Sequence, residues 1–217
     1  MALVAFACVG VFTGCDTVGA NEPLLLPDPV TDEPVAMSKG QPIAVFAGGC
    51  FWGVEAVFDH LKGVKKATTG YSGGSAATAH YDIVSDGRTG HAESVRVTYD
   101  RSQITYGQLL KVFFSVAHDP TERNRQGPDQ GTQYRSVIFA ATADQKRIAD
   151  AYIAQLNQAK VFKRLIATEV VSLATFYEAE GYHQDYVANN PGSAYVRAYD
   201  LPKLDHLRKQ FPDWYRP

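Results

Sequence analysis

A cysteine that follows two glycines is the strongest candidate for chemistry in this sequence. Cys50 comes directly after Gly48 and Gly49 at the end of a short apolar run, and directly before a helical pattern. Backbone N–H groups and the dipole at a helix N-terminus favour an anion, so we expect the pKa of the Cys50 thiol to be lowered. The alternative is an inert core cysteine, because free cysteine is among the most buried residue types. The position between strand and helix favours a reactive thiol.

Glu93 is the second candidate, because it shares one face of a predicted strand with apolar side chains. In the strand 91–99, the alternation of side chains places Glu93 with Val95, Val97 and Tyr99. If that face is buried, loss of solvent raises the carboxyl pKa and keeps a proton available near neutral pH. The alternative is a strand-end glutamate that turns its carboxylate to solvent.

Three histidines leave other chemistries open. His80, His91 and His183 could form a metal site with Glu93, or one of them could be the base for Cys50 in a cysteine hydrolase. Neither spacing is diagnostic. The sequence contains no HExxH pair, GxGxxG run or phosphate loop, which argues against zinc proteases and nucleotide-binding enzymes.

Alternating strand and helix patterns must position these candidates. Apolar runs and alternation predict five strands, at 43–47, 81–84, 91–99, 134–140 and 167–172. Helical spacing predicts three helices, one after Cys50 and the others at 106–113 and 143–162. A turn at Asp86-Gly87 would join the second and third strands as a hairpin, and residues 118–133 form a polar loop. Helices among strands, with a hairpin in the middle, predict an α/β fold, a two-layer α/β sandwich with a mixed sheet.

Composition limits the classes of partner. The chain has 217 residues with 21 Lys+Arg against 23 Asp+Glu, a formal net charge of −2, so no basic surplus favours nucleic acid. The three cysteines are Cys8, Cys15 and Cys50, and their spacing argues against a structural zinc site and a disulfide framework. Binding must therefore come from a local site, and we expect a monomer.

The first 42 residues differ from the rest of the chain. Residues 2–14 are thirteen residues without a charge, too few to span a bilayer but the length of a signal-peptide hydrophobic region. They end at Cys15 in a pattern that resembles a bacterial lipoprotein signal, in which the cysteine becomes lipidated. We therefore predict a signal segment at 1–15, a proline-rich acidic linker at 16–42 and a folded domain at 43–217. We expect export to the periplasmic face of a bacterial membrane; with a wrongly assigned start, the protein is cytoplasmic.

The residues around Cys50 resemble a known enzyme family. The run GGCFWGVE at 48–55 is similar to the signature of peptide methionine sulfoxide reductase A, and four further segments match the family's blocks in order, at 69–74, 90–93, 129–136 and 182–186. The resemblance covers about residues 43–205. It implies a sandwich related to the ferredoxin-like arrangement, and a thiol enzyme that reduces the S epimer of methionine sulfoxide without a metal or organic cofactor. Its role would be repair of oxidised proteins under oxidative stress.

The resemblance also implies a role for each candidate residue. Cys50 would attack the sulfoxide sulfur and Glu93 would give a proton to the sulfoxide oxygen, which leaves a sulfenic acid on Cys50. Three side chains would hold that oxygen, one of them through water or backbone: Tyr81, Tyr134 and Asp129. Two aromatic side chains would form a pocket for the substrate methyl group: Phe51 and Trp52.

One position departs from the family's pattern. Residues 190–197 are similar to a segment that carries a resolving cysteine in many members, but Val196 stands at that position and no cysteine follows Cys50. We therefore expect a one-cysteine enzyme whose sulfenic acid is reduced by an external thiol. That thiol would be thioredoxin, glutaredoxin with glutathione, or dithiothreitol in vitro.

Two other functions stay open. A cysteine-dependent acyl transferase or hydrolase would use Cys50 with His183 and would be indifferent to added reductant. A surface lipoprotein would bind methionine-containing peptides without catalysis. Replacement of Glu93 separates these functions, because only the reductase would lose sulfoxide reduction while it keeps binding.

Overall fold

The computed structural model describes residues 25–34 and 41–217, and its largest element is a six-stranded sheet. The strands in these residues are β1 Ile43–Ala47, β2 Val64–Ser72, β3 Ala92–Tyr99, β4 Arg125–Gln126, β5 Asp129–Gln130, β6 Val137–Ala140, β7 Glu169–Ser172 and β8 Phe176–Glu178. The sheet order is β7-β6-β1-β3-β2-β8, and every pair is antiparallel except β6 and β7. A mixed sheet is thus confirmed, and β4 and β5 form a separate hairpin.

Helices connect the strands and cover the sheet. The α-helices of the described residues are α1 Phe51–Asp59, α2 Tyr81–Val84, α3 Tyr106–Val112, α4 Ala143–Gln158, α5 Tyr186–Asn189 and α6 Leu201–Gln210. Single π-helical turns follow α3 at Phe113–Ala117 and precede α6 at Val196–Asp200. The start of α3 is fixed by a capping box, in which the side chains of Thr105 and Gln108 each accept the other's backbone N–H.

The main core lies between one face of the sheet and the helices α1, α3, α4 and α6. Phe46 of β1 stacks on Phe58 of α1 with ring centroids 5.2 Å apart, and on Phe113 at 4.9 Å. The other face carries a smaller cluster that includes Val45 and Phe139. The packing of β1 against α1 fixes the turn between them, which carries Cys50.

The prediction of a hairpin before β3 was wrong. Residues 81–84 form the helix α2, and β3 pairs instead with β2, which the sequence did not reveal as a strand. The second half of β2 is buried throughout, so it shows no alternation of apolar and polar residues. Gly70 in β2 also argued against a strand, because glycine is typical of loops. Glycine is needed at this position because a side chain would collide with the ring of Phe176 on β8.

Other predicted elements are correct in type but longer than the observed ones. The strands predicted at 134–140 and 167–172 begin at Val137 and Glu169, and the helix predicted at 143–162 ends at Gln158. After this helix, Lys160 takes a φ of 51°, which a helix does not allow. The predicted polar loop at 118–133 contains the β4–β5 hairpin and the start of a 3₁₀ turn.

Residues 25–34, which belong to the predicted proline-rich acidic linker at 16–42, pack on the domain. Asp32 accepts a hydrogen bond from the Gly107 N–H at 2.8 Å, and Glu33 accepts one from the Tyr106 N–H at 3.0 Å. Both N–H groups belong to the first turn of α3, where the helix itself supplies no acceptor. The acidic side chains that suggested a solvated linker therefore cap a helix N-terminus.

The other N-terminal predictions lie outside the described residues. These are the signal segment at 1–15 with Cys15, and the linker at 16–24 and 35–40. None of the helices in residues 25–34 and 41–217 combines the length and the apolar character that crossing a membrane requires.

We expect Asp32→Ala to lower the free energy of unfolding by about 1–3 kcal/mol, because the first turn of α3 loses a charged acceptor. Urea unfolding of the full chain measures the change. Asp205→Ala is the control, since Asp205 forms an exposed pair with Arg208 and such pairs add little stability. An equal loss in both variants would contradict a capping role for Asp32.

Candidate active site

The turn between β1 and α1 places the Cys50 sulfur at a helix N-terminus inside the fold. Cys50 is the N-cap residue of α1 and is only 8% exposed. Gly49 takes a φ of 92°, which L side chains rarely adopt. At Gly48 a side chain would meet the rings of Phe113 and His118. Both glycines are therefore required for the tight turn that presents Cys50.

Glu93 lies on β3 next to this turn, and it is buried on the face that strand alternation predicts. Its side chain is 3% exposed, and its Oε2 accepts a hydrogen bond from the Phe51 N–H at 3.0 Å. Burial raises the pKa of Glu93 to about 8, and the charge of Asp129 adds to the increase, while the Phe51 N–H opposes it. At neutral pH the carboxyl group is therefore mostly protonated. Because Oε2 accepts the Phe51 N–H, Oε1 is the oxygen that is free to carry and donate this proton.

The expectation of a lowered thiol pKa is wrong. Burial raises the pKa of Cys50 well above its ordinary value, and the carboxyl groups of Glu93 and Asp200 raise it further. The Trp52 N–H and the Lys203 ammonium group lower the pKa, but by less. The helix N-terminus alone does not stabilise a thiolate that is removed from water and placed beside carboxyl groups. Cys50 is therefore a neutral thiol at rest.

Three tyrosines lie within electrostatic reach of this thiol and carboxyl. Burial, followed by the charges of Glu93 and Cys50, raises the pKa of Tyr81 to about 12. The pKa of Tyr134 is also raised, by burial and then by the charges of Glu93 and Asp129. Tyr195 donates its hydroxyl to Oδ2 of Asp129, and its pKa is raised as well. All three hydroxyl groups therefore keep their protons at neutral pH and can donate hydrogen bonds.

Aromatic rings hold Trp52 in a fixed position beside Cys50. The Trp52 ring stacks on Tyr186 with centroids 3.7 Å apart, meets Tyr195 edge-on at 6.0 Å and lies 6.5 Å from Phe51. Its indole N–H donates a hydrogen bond to Nδ1 of His183 at 3.1 Å. Trp52 remains partly exposed, so these rings form an apolar wall that a substrate can reach.

The histidines have structural contacts that argue against the alternative chemistries. Burial lowers the pKa of His183, so its ring is neutral. Its Nδ1 accepts the Trp52 N–H, so Nε2 carries the ring proton and neither nitrogen has a free lone pair to take the proton of Cys50. Nδ1 of His91 accepts the Gly74 N–H. In the described part of the chain, the one cluster of His, Cys, Asp and Glu close enough to hold a metal contains neither of these histidines nor Glu93.

Two residues of this site had no assigned role in the sequence analysis. Tyr186 and Tyr195 contact Trp52 from parts of the chain that are distant in sequence. Both lie within segments that resemble the reductase family, 182–186 and 190–197, and this resemblance is the only sequence signal for them. They show no periodicity, so contact with Trp52 could not be inferred from local pattern.

Known proteins match most of this chain. A family model described as peptide methionine sulfoxide reductase matches residues 42–215. The chain is 56% identical over 191 residues to Peptide methionine sulfoxide reductase MsrA 2 of a Synechocystis species, a match that covers 87% of this chain and 89% of the relative.

Solved structures agree with the fold. The crystal structure of Mxr1 from Saccharomyces cerevisiae in reduced form is similar with a TM-score of 0.67 at 31% identity, and covers 78% of this chain and 94% of that one. Methionine sulfoxide reductase A of Corynebacterium diphtheriae gives a TM-score of 0.61 at 35% identity, with 80% and 87% of the two chains covered. These matches confirm the predicted α/β fold. The chain belongs to the peptide methionine sulfoxide reductase family and is an oxidoreductase.

Proposed function

We propose that the protein reduces the S epimer of methionine sulfoxide, free or in peptides, with Cys50 as the nucleophile and Glu93 as the acid. One observation carries this proposal: Glu93 is buried, with its pKa raised to about 8, and it is hydrogen-bonded at the N-terminus of the helix that follows the only thiol of the described residues. Oxide is a poor leaving group unless it is protonated, so reduction of a sulfoxide needs an acid beside the nucleophile.

The reaction moves one oxygen atom and two electrons. The Cys50 sulfur bonds to the sulfoxide sulfur while Glu93 Oε1 gives its proton to the sulfoxide oxygen. The thiol proton of Cys50 passes to the Glu93 carboxylate that this step creates, so the high thiol pKa is offset by a base formed at the same moment. The hydroxyl group then ends on the Cys50 sulfur and the sulfur–sulfur bond breaks. Methionine leaves with two more electrons, and Cys50 remains as a sulfenic acid.

The surrounding side chains bind and orient the substrate. The hydroxyl groups of Tyr81 and Tyr134 donate to the sulfoxide oxygen, since both keep their protons at neutral pH. Asp129 acts through Tyr195, whose hydroxyl donates to its carboxylate. The rings of Phe51 and Trp52, which follow Cys50 directly, contact the substrate methyl group and exclude water from the reacting atoms.

Regeneration of the thiol requires an external reductant. Val196, which stands where many family members have a resolving cysteine, is fully buried and packs with Ala56 and Val187. A thiol from a thioredoxin, a glutaredoxin or glutathione attacks the sulfenic acid, releases water and forms a mixed disulfide. A second thiol then releases Cys50.

We also propose export, lipidation at Cys15 and action as a monomer that repairs oxidised proteins. The resemblance of residues 2–15 to a lipoprotein signal supports export. Residues 16–24 lie between Cys15 and the segment that packs on the domain, and an extended chain of this length reaches about 35 Å at most. A lipid on Cys15 would therefore keep the active site near the membrane surface.

We expect Glu93→Gln to reduce kcat/KM for the S epimer by about 100- to 10,000-fold, the usual cost of losing a general acid. Glutamine keeps the acceptor for the Phe51 N–H but has no acidic proton. Turnover of the two epimers, assayed separately with dithiothreitol, measures the effect. Cys50→Ser should be inactive, whereas Glu178→Gln, an exposed glutamate paired with Arg96, should match the wild type. Turnover of the R epimer, or full activity of Glu93→Gln, would contradict the proposal.

The rate of the first turnover should fall as the pH rises through about 8. Burial raises the pKa of Glu93 from 4.5 to about 8, so the acid form persists at neutral pH and is lost above that value. Rapid-quench measurement of methionine formation across this range tests the prediction. A rate that instead rises with pH, as for simple titration of a thiol, would show that Glu93 is not the proton donor.

Substrate without reductant should leave one sulfenic acid per chain, on Cys50, with one equivalent of methionine released. Trapping with dimedone followed by mass spectrometry locates the modification. The control is the Cys50→Ser chain, which should release no methionine. A disulfide that joins Cys50 to Cys8 or Cys15 would be evidence against an external reductant.

A further inference from the structure

Three carboxyl groups lie close together on the second half of α1, outside the candidate active site. Glu55 and Asp59 are one turn apart on one face of this helix, and Asp185 immediately precedes α5. One oxygen atom from each of the three lies within 4.8 Å of the others. Three negative charges at this distance repel one another unless a positive charge or protons compensate them.

No side chain of the described residues compensates this cluster by an ion pair. None of the ion pairs in this part of the chain includes Glu55, Asp59 or Asp185. The nearby Lys65 is paired with Asp100 at 3.2 Å instead. The negative charge of the cluster is therefore not compensated by an ion pair.

Glu55 is the buried member of the cluster, and one of its oxygens has no partner. The side chain is 2% exposed, and Oε2 accepts a hydrogen bond from the Asp185 N–H at 2.9 Å. Among the described residues, Oε1 forms no hydrogen bond of ordinary geometry. The neighbouring Thr69 N–H donates to Gln184 at 3.0 Å, although it lies close enough to Glu55 to lower the pKa of its carboxyl group. Buried polar atoms are almost always satisfied, so this oxygen points to a ligand.

The three carboxyl groups also line a cavity of about 590 Å³ that opens to solvent. Its wall includes Lys66, Val187 and Leu204. An ion can reach the cluster through this cavity, and water molecules within it can complete the ion's coordination shell.

The proximity of the carboxyl groups also changes their pKa values. Burial, followed by the charges of Asp59 and Asp185, raises the pKa of Glu55 to about 8. Burial also raises the pKa of Asp59, although the guanidinium of Arg216 acts in the opposite direction. A bound cation would lower both pKa values and keep the carboxyl groups ionised.

We propose that Glu55, Asp59 and Asp185 bind one Ca²⁺ ion. Calcium takes about six to eight oxygen ligands at about 2.3–2.6 Å, so two oxygens that share the ion lie at most about 5 Å apart. The three carboxylate oxygens meet this condition. The cluster contains no sulfur or nitrogen ligand, which argues against zinc and copper.

The ion would connect α1 to the segment that holds Trp52. His183 and Tyr186 lie on either side of Asp185, and they bind the Trp52 ring by a hydrogen bond and by stacking. Neutralising the repulsion between Asp185 and α1 therefore stabilises the apolar wall of the active site. This inference does not depend on the proposed reaction.

Calorimetric titration of the EDTA-treated full chain with CaCl₂, and separately with MgCl₂, tests the proposal at neutral pH. We expect one saturable Ca²⁺ site, weaker binding of Mg²⁺ and a Tm that rises with Ca²⁺. Asp185→Asn should weaken Ca²⁺ binding roughly tenfold or more, since a charged ligand is lost. Asparagine tolerates the φ of 54° at this position, so the backbone is kept. The control Asp150→Asn, an exposed helix residue paired with Lys146, should bind like the wild type.

A second variant distinguishes an ion from a shared proton. Addition of Ca²⁺ should raise the Tm of the wild type but not the Tm of Glu55→Gln. If the wild type binds no Ca²⁺ and Glu55→Gln raises Tm without it, a proton on Glu55 compensates the cluster and the proposal is wrong. Unchanged Ca²⁺ binding by Asp185→Asn, or tighter binding of Mg²⁺ than of Ca²⁺, would also overturn it.

Discussion

The hydrogen bond from the Phe51 N–H to Glu93 is the interaction on which the site depends. It joins β3, which lies between β1 and β2 in the sheet, to the first turn of α1. A buried carboxyl group is costly unless it is neutral or hydrogen-bonded, and a helix N-terminus has N–H groups without acceptors. The carboxyl group of Glu93 gives the Phe51 N–H an acceptor, and the N–H gives the buried carboxyl group a donor. The same contact fixes the distance between the acid and Cys50, because the thiol belongs to the residue before Phe51.

The wall beside the thiol depends on chain segments that are far apart in sequence. Trp52 takes its stacking partner from α5, its hydrogen-bond acceptor from His183 and its edge contact from Tyr195. None of these residues belongs to the main sheet. The segments around His183, Tyr186 and Tyr195 therefore complete the site, and the packing of these segments on α1 determines how firmly the indole is held.

The structural features that depend on residues adjacent in sequence could be predicted. The turn at Gly48-Gly49 and the helix after it follow from local pattern, and alternation along β3 places Glu93 on the buried face. The strand β2 could not be predicted, because burial on both faces removes its alternation. The capping contacts of Asp32 and the direction of the Cys50 pKa depend on residues distant in sequence, and pattern analysis does not supply those distances.

The neutral state of both reacting groups has a chemical advantage. A thiolate reacts with peroxides and other oxidants, whereas a thiol reacts slowly, so the raised pKa of Cys50 protects it between turnovers. In the proposed mechanism, the oxygen of a bound sulfoxide accepts the Glu93 proton and leaves a carboxylate that takes the thiol proton. By this mechanism the nucleophile is generated only when the substrate is bound. A site with a preformed thiolate would react with the oxidants that create the substrate, and a protein with one catalytic cysteine would lose turnovers to that reaction.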